Sequence, residues 1–181
     1  MHAAHPVSPR HAHATERAKE RASGAPGTDQ AATLQLLLPV KRVSDIVYGA
    51  RYARRLREWG IDVHVHLLHV TPPLAQHADG MVRQGQLDNG EAAAQLMREA
   101  GLYLSRSDLS FSTHIFSGER LFIILDTAEL LGCQEIVLPA LKSRSWQRHF
   151  ADTLAHKLAR ATRSAIVLLA DADGIGGPPA A

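Results

Sequence analysis

The sequence predicts an α/β protein: a doubly wound, five-stranded parallel sheet in the order 3-2-1-4-5, with helices on both faces. Three observations carry this expectation. Short apolar runs alternate with longer amphipathic stretches from Thr33 to Ala170. Each stretch is long enough for a helix, and a helix between two strands makes them parallel with a right-handed crossover. Several runs are apolar throughout, as strands covered on both faces are.

Thr33 to Val40 (TLQLLLPV) opens the pattern as a buried strand ended by its Pro. Ser44 or Asp45 can cap the helix that follows, in which Val47, Ala50, Ala53 and Leu56 form one stripe and Gly60 suits the C-terminal end. Val63 to Val70 (VHVHLLHV) starts with strict alternation and reads as the second strand, stopped by Thr71-Pro72-Pro73. Residues 74–90 are polar and Gly-bearing, a loop with partial helix. Glu91 to Leu104 is a helix with Ala94, Met97 or Arg98, Gly101 and Leu104 on one side. Leu109 to Phe116 alternates as the third strand. Ser117 caps a helix carrying Leu121, Ile124, Leu125, Ala128 and Leu131, closed by Gly132. Gln134 to Leu138 is the fourth strand. Gln147 to Ala161 is a helix with Phe150, Leu154, Leu158 and Ala161 inward, and Ser164 to Ala170 is the fifth strand.

The 181 residues suit one ordinary domain with room for tails. Residues 1–31 lack Leu, Ile, Phe and Trp and read as a disordered arm, residues 32–170 as the α/β domain, and 171–181 (DADGIGGPPAA) as a flexible tail. A formal charge of +2 does not mark a nucleic-acid binder. The single cysteine, Cys133, excludes a disulfide framework or Cys-rich metal site, and its place after a helix-ending Gly suggests an inert thiol. No apolar run nears the ~20 residues that span a bilayer, and the first residues lack the apolar core of a secretory signal. A soluble cytoplasmic protein is the expectation.

In such a sheet a ligand sits beyond the carboxyl ends of the strands, where the strand order reverses. The loops after Val40 and after Pro139 are the candidates. Twelve of the 20 Lys and Arg residues fall in segments 41–57 and 142–163, both starting at that crevice. Lys41, Lys142, Ser143 and Arg144 could hold an anion there, or the basic segments could be solvated helix surface. Catalysis finds little support. Ser145, His149 and Asp152 lie within one helical segment with no nucleophile elbow. His64 and His66 share a strand face while His69 takes the other, so the three do not converge on a metal. His2, His5, His11 and His13 of the arm could form a weak metal site, or be tail composition.

The ordered strings LLLPV, HVHLLHVTPP, SGERLFIILDTAELLGCQEIVLP and ATRSAIVLLA resemble the universal stress protein family across about residues 32–170. That resemblance implies either a nucleotide-binding member or one of the branch that does not bind ATP. The family's ATP binders place an Asp directly after the first strand; this chain has Lys41. Their Gly-x2-Gly-x9-Gly-Ser/Thr signature falls on Pro139, Lys142, Asp152 and Thr153, so only the hydroxyl survives. Pro139 offers no N–H and Asp152 brings a carboxylate towards the phosphates. The expectation is a regulatory or protective binding protein with no cofactor, no enzymatic activity, an unknown regulatory partner, and no specific nucleic-acid or membrane partner. The alternative is ATP binding with weak hydrolysis, or another phosphorylated anion, at Val40, Lys41, Lys142, Ser143, Arg144 and Thr153.

The fifth strand ends the sheet in this order. Its Ile166, Val167, Leu168 and Leu169 carry no Lys or Pro to blunt a free edge, so pairing with a second copy is expected, as the resemblance also implies. The other way to cover that edge is a tail folded back from Asp171.

Overall fold

The computed structural model describes residues 32–73, 81–140 and 147–179, with 81–89 and 147–153 described by their backbone alone. The elements run β1 (Leu34–Pro39), α1 (Val43–Glu58), β2 (Val63–Thr71), α2 (Met81–Arg106), β3 (Ser110–Ser117), α3 (Arg120–Leu130), β4 (Glu135–Pro139), α4 (Gln147–Ala161), β5 (Ile166–Ala170) and β6 (Gly176–Gly177). The sheet order is β3-β2-β1-β4-β5-β6. The first five strands are parallel and β6 is antiparallel to β5. The expected 3-2-1-4-5 sheet is present, extended by one short strand. The expected arm, residues 1–31, lies outside the described residues.

Each face of the sheet has its own core, because successive strand residues point to opposite sides. Leu36, Leu38, Val65 and Leu67 meet Ile46, Ala50 and Ala53 of α1 and Met97, Ala100 and Leu104 of α2. Leu37, Leu68, Ile136 and Val167 meet Ile124 and Ala128 of α3 and Ala155 and Leu158 of α4. The helical stripes differ in places from the sequence reading. Ile46, not Val47, is fully buried on α1; Met97 is buried while Arg98 is exposed; Ala155 is buried while Ala161 is exposed. A step of three residues drifts around a helix of 3.6 residues per turn, so a strict three-residue stripe misses its ends.

Two boundaries also move. The helix expected from Glu91 begins at Met81, so the partial helix expected within residues 74–90 is continuous with it from residue 81. Ser117 closes β3 and donates its hydroxyl to the Pro72 carbonyl at 2.9 Å, so it does not cap α3. Glu119 does, accepting the backbone N–H groups of Leu121 and Phe122 at 3.2 and 3.1 Å. Its carboxylate also suits the positive end of the helix dipole.

Candidate functional site

The crevice at the carboxyl ends of β1 and β4 turns its backbone donors inward. Val40, 5% exposed, gives its N–H to the Leu68 carbonyl at 2.8 Å. The N–H groups of Lys41 and Arg42 both point at Asp45 Oδ2, at 3.2 and 2.9 Å, and the Arg42 guanidinium meets Asp45 Oδ1 at 3.2 Å. Asp45 stands three residues into the helix and closes its N-terminus with its own carboxylate. On the β4 side Pro139 has no N–H, and that of Ala140 goes to the Ala170 carbonyl at 2.7 Å. His69 reaches the crevice from β2. Its Nδ1 is 2.8 Å from the Val40 carbonyl, which can only accept, so Nδ1 carries a proton. His69 is therefore held at the strand's end.

Of the predicted site residues, Val40 and Lys41 are together at the crevice, Val40 buried and Lys41 exposed. Lys142, Ser143 and Arg144 lie outside the described residues, as does Ser145. Thr153 stands within α4, as do His149 and Asp152, but their side chains are not described. The basic surface of α1 is largely engaged. Arg54 pairs with Glu58 at 3.9 Å, Arg57 with Asp108 at 3.3 Å, and Arg51 donates to the Ala172 carbonyl. An open cleft of about 440 Å³ lies at the other end of the sheet, lined among others by Arg57, Asp62, Asp108 and Ser110.

The tail is the feature the sequence reading treated as flexible and the structure builds. The Asp171 carboxylate accepts the N–H groups of Asp173 and Ile175, each at 2.9 Å, and Gly174 takes φ of +75°. The turn packs on α1: a Cβ at Gly174 would stand 2.7 Å from the Arg51 carbonyl carbon, and one at Gly176 2.6 Å from the Tyr52 ring. Gly177 and Gly176 then pair with Leu169 and Ala170. The upper part of the β5 edge is thus covered by the chain itself, and among the described residues Ile166 to Leu168 has no strand beside it on that side. Val167 is buried in the core rather than presented outward. The DADG turn, with an Asx cap and a Gly for the positive φ, was the readable signal.

Cys133 is buried, and burial pushes its thiol up to about 11, so it is an unreactive core residue as expected. Sequence reasoning passed over Gln35 and His114. The structure brings them to His64 and His66 on the face of β1–β2–β3 beside α3, at 3.0 Å from Gln35 Oε1 to His66 Nε2 and 3.2 Å from His66 Nδ1 to His114 Nε2. The alternating Ser-x-Ser-x-His of β3, facing His-x-His of β2 in parallel register, was the signal. Among the described residues no three His, Cys, Asp or Glu side chains are grouped to hold a metal, and no helix is long and apolar enough to cross a membrane.

No family model and no curated protein matches the sequence. Solved structures do. The universal stress protein UspA from Lactobacillus plantarum is similar at 18% identity and a TM-score of 0.57, over 77% of this chain and 99% of that one. A universal stress protein family protein from Arabidopsis thaliana with AMP bound is similar at 12% and 0.54, over 76% and 91%. A universal stress protein in complex with cAMP is similar at 9% and 0.53, over 77% and 98%. Built from these strands, in this order and with these crossovers, the chain has the fold of the universal stress proteins.

Proposed function

We propose that the chain is a universal-stress-protein-like cytoplasmic regulatory binding protein, not an enzyme, and that its crevice does not take ATP. The observation that carries this reading is Asp45. A helix N-terminus is an anion seat because its first N–H groups are free. Here a carboxylate of the helix itself holds the N–H group of the capping residue Arg42 and that of Lys41 just before it. A phosphate would have to displace that carboxylate against its charge. The loss of an N–H at Pro139 and the engagement of that of Ala140 support the same reading. Equilibrium binding of ATP and ADP, with and without magnesium, tests it. No saturation at millimolar nucleotide is expected, and micromolar affinity overturns it.

A second reading is favoured by the AMP and cAMP held by two structural neighbours. In it, Lys41 with Lys142, Ser143, Arg144 and Thr153 holds a phosphorylated anion. The double change Lys41→Ala, Lys142→Ala weakens such binding while leaving the unfolding midpoint nearly unchanged; an unaltered affinity counts against it. The open edge Ile166 to Leu168 is proposed as a homodimer contact, and a monomeric mass at micromolar concentration overturns that.

A further inference from the structure

Gln35, His66 and His114 form a hydrogen-bonded chain across β1, β2 and β3 whose proton positions can be read off its Gln35 end. Gln35 Nε2 donates to the Thr33 carbonyl at 3.2 Å, which turns Gln35 Oε1 towards His66 Nε2 at 3.0 Å. An amide oxygen only accepts, so His66 carries its proton on Nε2 and leaves Nδ1 bare. That bare nitrogen faces His114 Nε2 at 3.2 Å, so His114 donates from Nε2 and its own bare nitrogen is Nδ1. Among the described residues His114 Nδ1 has no hydrogen-bond partner in the protein, and the ring is half-buried. His66 is 8% exposed, beneath it.

This arrangement admits one extra proton and no more. The first adds to His114 Nδ1 and leaves the His114-to-His66 hydrogen bond in place. A second proton has only His66 Nδ1 to go to. It sets two N–H donors against each other across 3.2 Å, with no lone pair between them. We propose that the His66–His114 pair is a proton-operated clasp between β2 and the edge strand β3, closed with one extra proton and opened by the second.

The surroundings fit this role. His64 lies edge-on to His66, with ring centres 4.8 Å apart. Its nitrogens meet the hydroxyls of Ser110 and Ser112 at 2.7 and 2.9 Å. A hydroxyl donates or accepts, so His64 keeps both partners when charged and adds a like charge beside the pair. From β1 the facing group is the neutral Gln35. From α3, which packs on β2 over this face, the charged groups are Glu119, Arg120, Asp126 and Glu129, all exposed, with Glu119 engaged at its helix cap. Among the described residues none of them makes a hydrogen bond or ion pair with the three imidazoles, so no carboxylate offsets their charge. Burial first, then the charges of His64 and His114, push His66 down to about 4. Burial and His64 push His114 down as well. Among the described strands β3 has a single neighbour in the sheet, β2, which it pairs from Ser110 to Ser117, so weakening this joint acts on its only strand partner there.

The test uses the full-length, 15N-labelled chain. Long-range imidazole NMR at pH 7.5 is expected to show His66 protonated at Nε2 and bare at Nδ1; the opposite tautomer overturns the proposal. Hydrogen exchange, corrected for its intrinsic pH dependence, is then followed from pH 7.5 to 4. The amides of Ser112, His114 and Phe116, which face β2, are expected to lose protection at least tenfold while those of Ile136 and Val137 hold. In His114→Gln the amide can turn its oxygen to a charged His66, so β3 stays protected at low pH. His66→Gln, which removes the buried titrating ring, should also make β3 protection independent of pH. If β3 opens with the same pH profile in both variants as in the wild type, or does not open down to pH 4, the clasp does not exist.

Discussion

The Tyr52 hydroxyl donates to Glu135 Oε2 at 2.9 Å and so ties the middle of α1 to the first residue of β4. Tyr52 is buried and Glu135 half-buried. Burial raises the Glu135 carboxyl above its ordinary value while the hydrogen bond from Tyr52 opposes that rise. Tyr52→Phe removes the donor and leaves the carboxylate desolvated. The expected loss is about 1–2 kcal/mol at pH 7, measured by urea unfolding. The variant is also expected to titrate Glu135 higher than the wild type; an unchanged stability would mean that water replaces the hydroxyl.

His66 and Glu135 push the pH dependence of stability in opposite directions. The folded-state value of His66, about 4, lies below the ordinary 6.5, so the unfolded chain binds more protons and stability falls as pH drops from 6.5 to 4. Glu135 is raised, so its share is present at low pH and is lost as pH climbs from 4.5 through its raised value. Between pH 7.5 and 5 the lowered His66 and His114 outweigh the opposite share of Glu135, and a loss of about 1–2 kcal/mol in unfolding free energy is expected on acidification. In His66→Gln that slope flattens.

The tail turn has its own test. At Gly174 a side chain meets both the positive φ and the Arg51 backbone. Gly174→Ala is expected to cost about 1–3 kcal/mol locally, by releasing β6 rather than unfolding the sheet. Hydrogen exchange at Gly176 and Gly177 rises while that of β1 does not. Removing residues 172–181 uncovers Leu169 and Ala170, and light scattering is expected to report self-association through that edge.

Asp45→Ala separates capping from ligand exclusion. It costs about 1 kcal/mol of stability through the lost cap. It also frees the Lys41 and Arg42 N–H groups and removes a negative charge. Phosphate and ATP are therefore expected to bind the variant more tightly than the wild type, read by calorimetry. Equal, weak binding to both would show that the α1 end of the crevice takes no anion.

The parallel sheet was legible because its strands are apolar runs punctuated by Pro and Gly, and five of the six strands lie within a residue or two of their expected places. Strand β6 was not, because two glycines carry no side-chain pattern; their pairing follows from the Asp171 turn and the fit of Gly176 to Tyr52. The start of α2 was legible only as partial helix because Gly85, Asp88, Asn89 and Gly90 are poor helix formers, and the structure makes continuous helix there. At the crevice the sequence put Val40 and Lys41 at the end of the first strand, but the use of their N–H groups was not legible, since Asp45 read equally well as a simple cap. The histidine ladder needed the β2–β3 register, which single-strand periodicity does not contain.

Gln35 gives its backbone N–H to the Gln134 side chain, 99 residues away in sequence, and Leu36 lies beside Glu135. The centre of this sheet is thus its most distant contact along the chain. Strands β1, β2 and β3 pair in sequence order, so the first half of the domain can assemble by itself, whereas β4 must close a long loop before it meets β1. Until it arrives, β1 offers an open edge bearing Leu36, Leu37 and Leu38. A chain leaving the ribosome carries that sticky edge from the emergence of β1 until residue 139 has followed, and this interval is when a chaperone has something to hold.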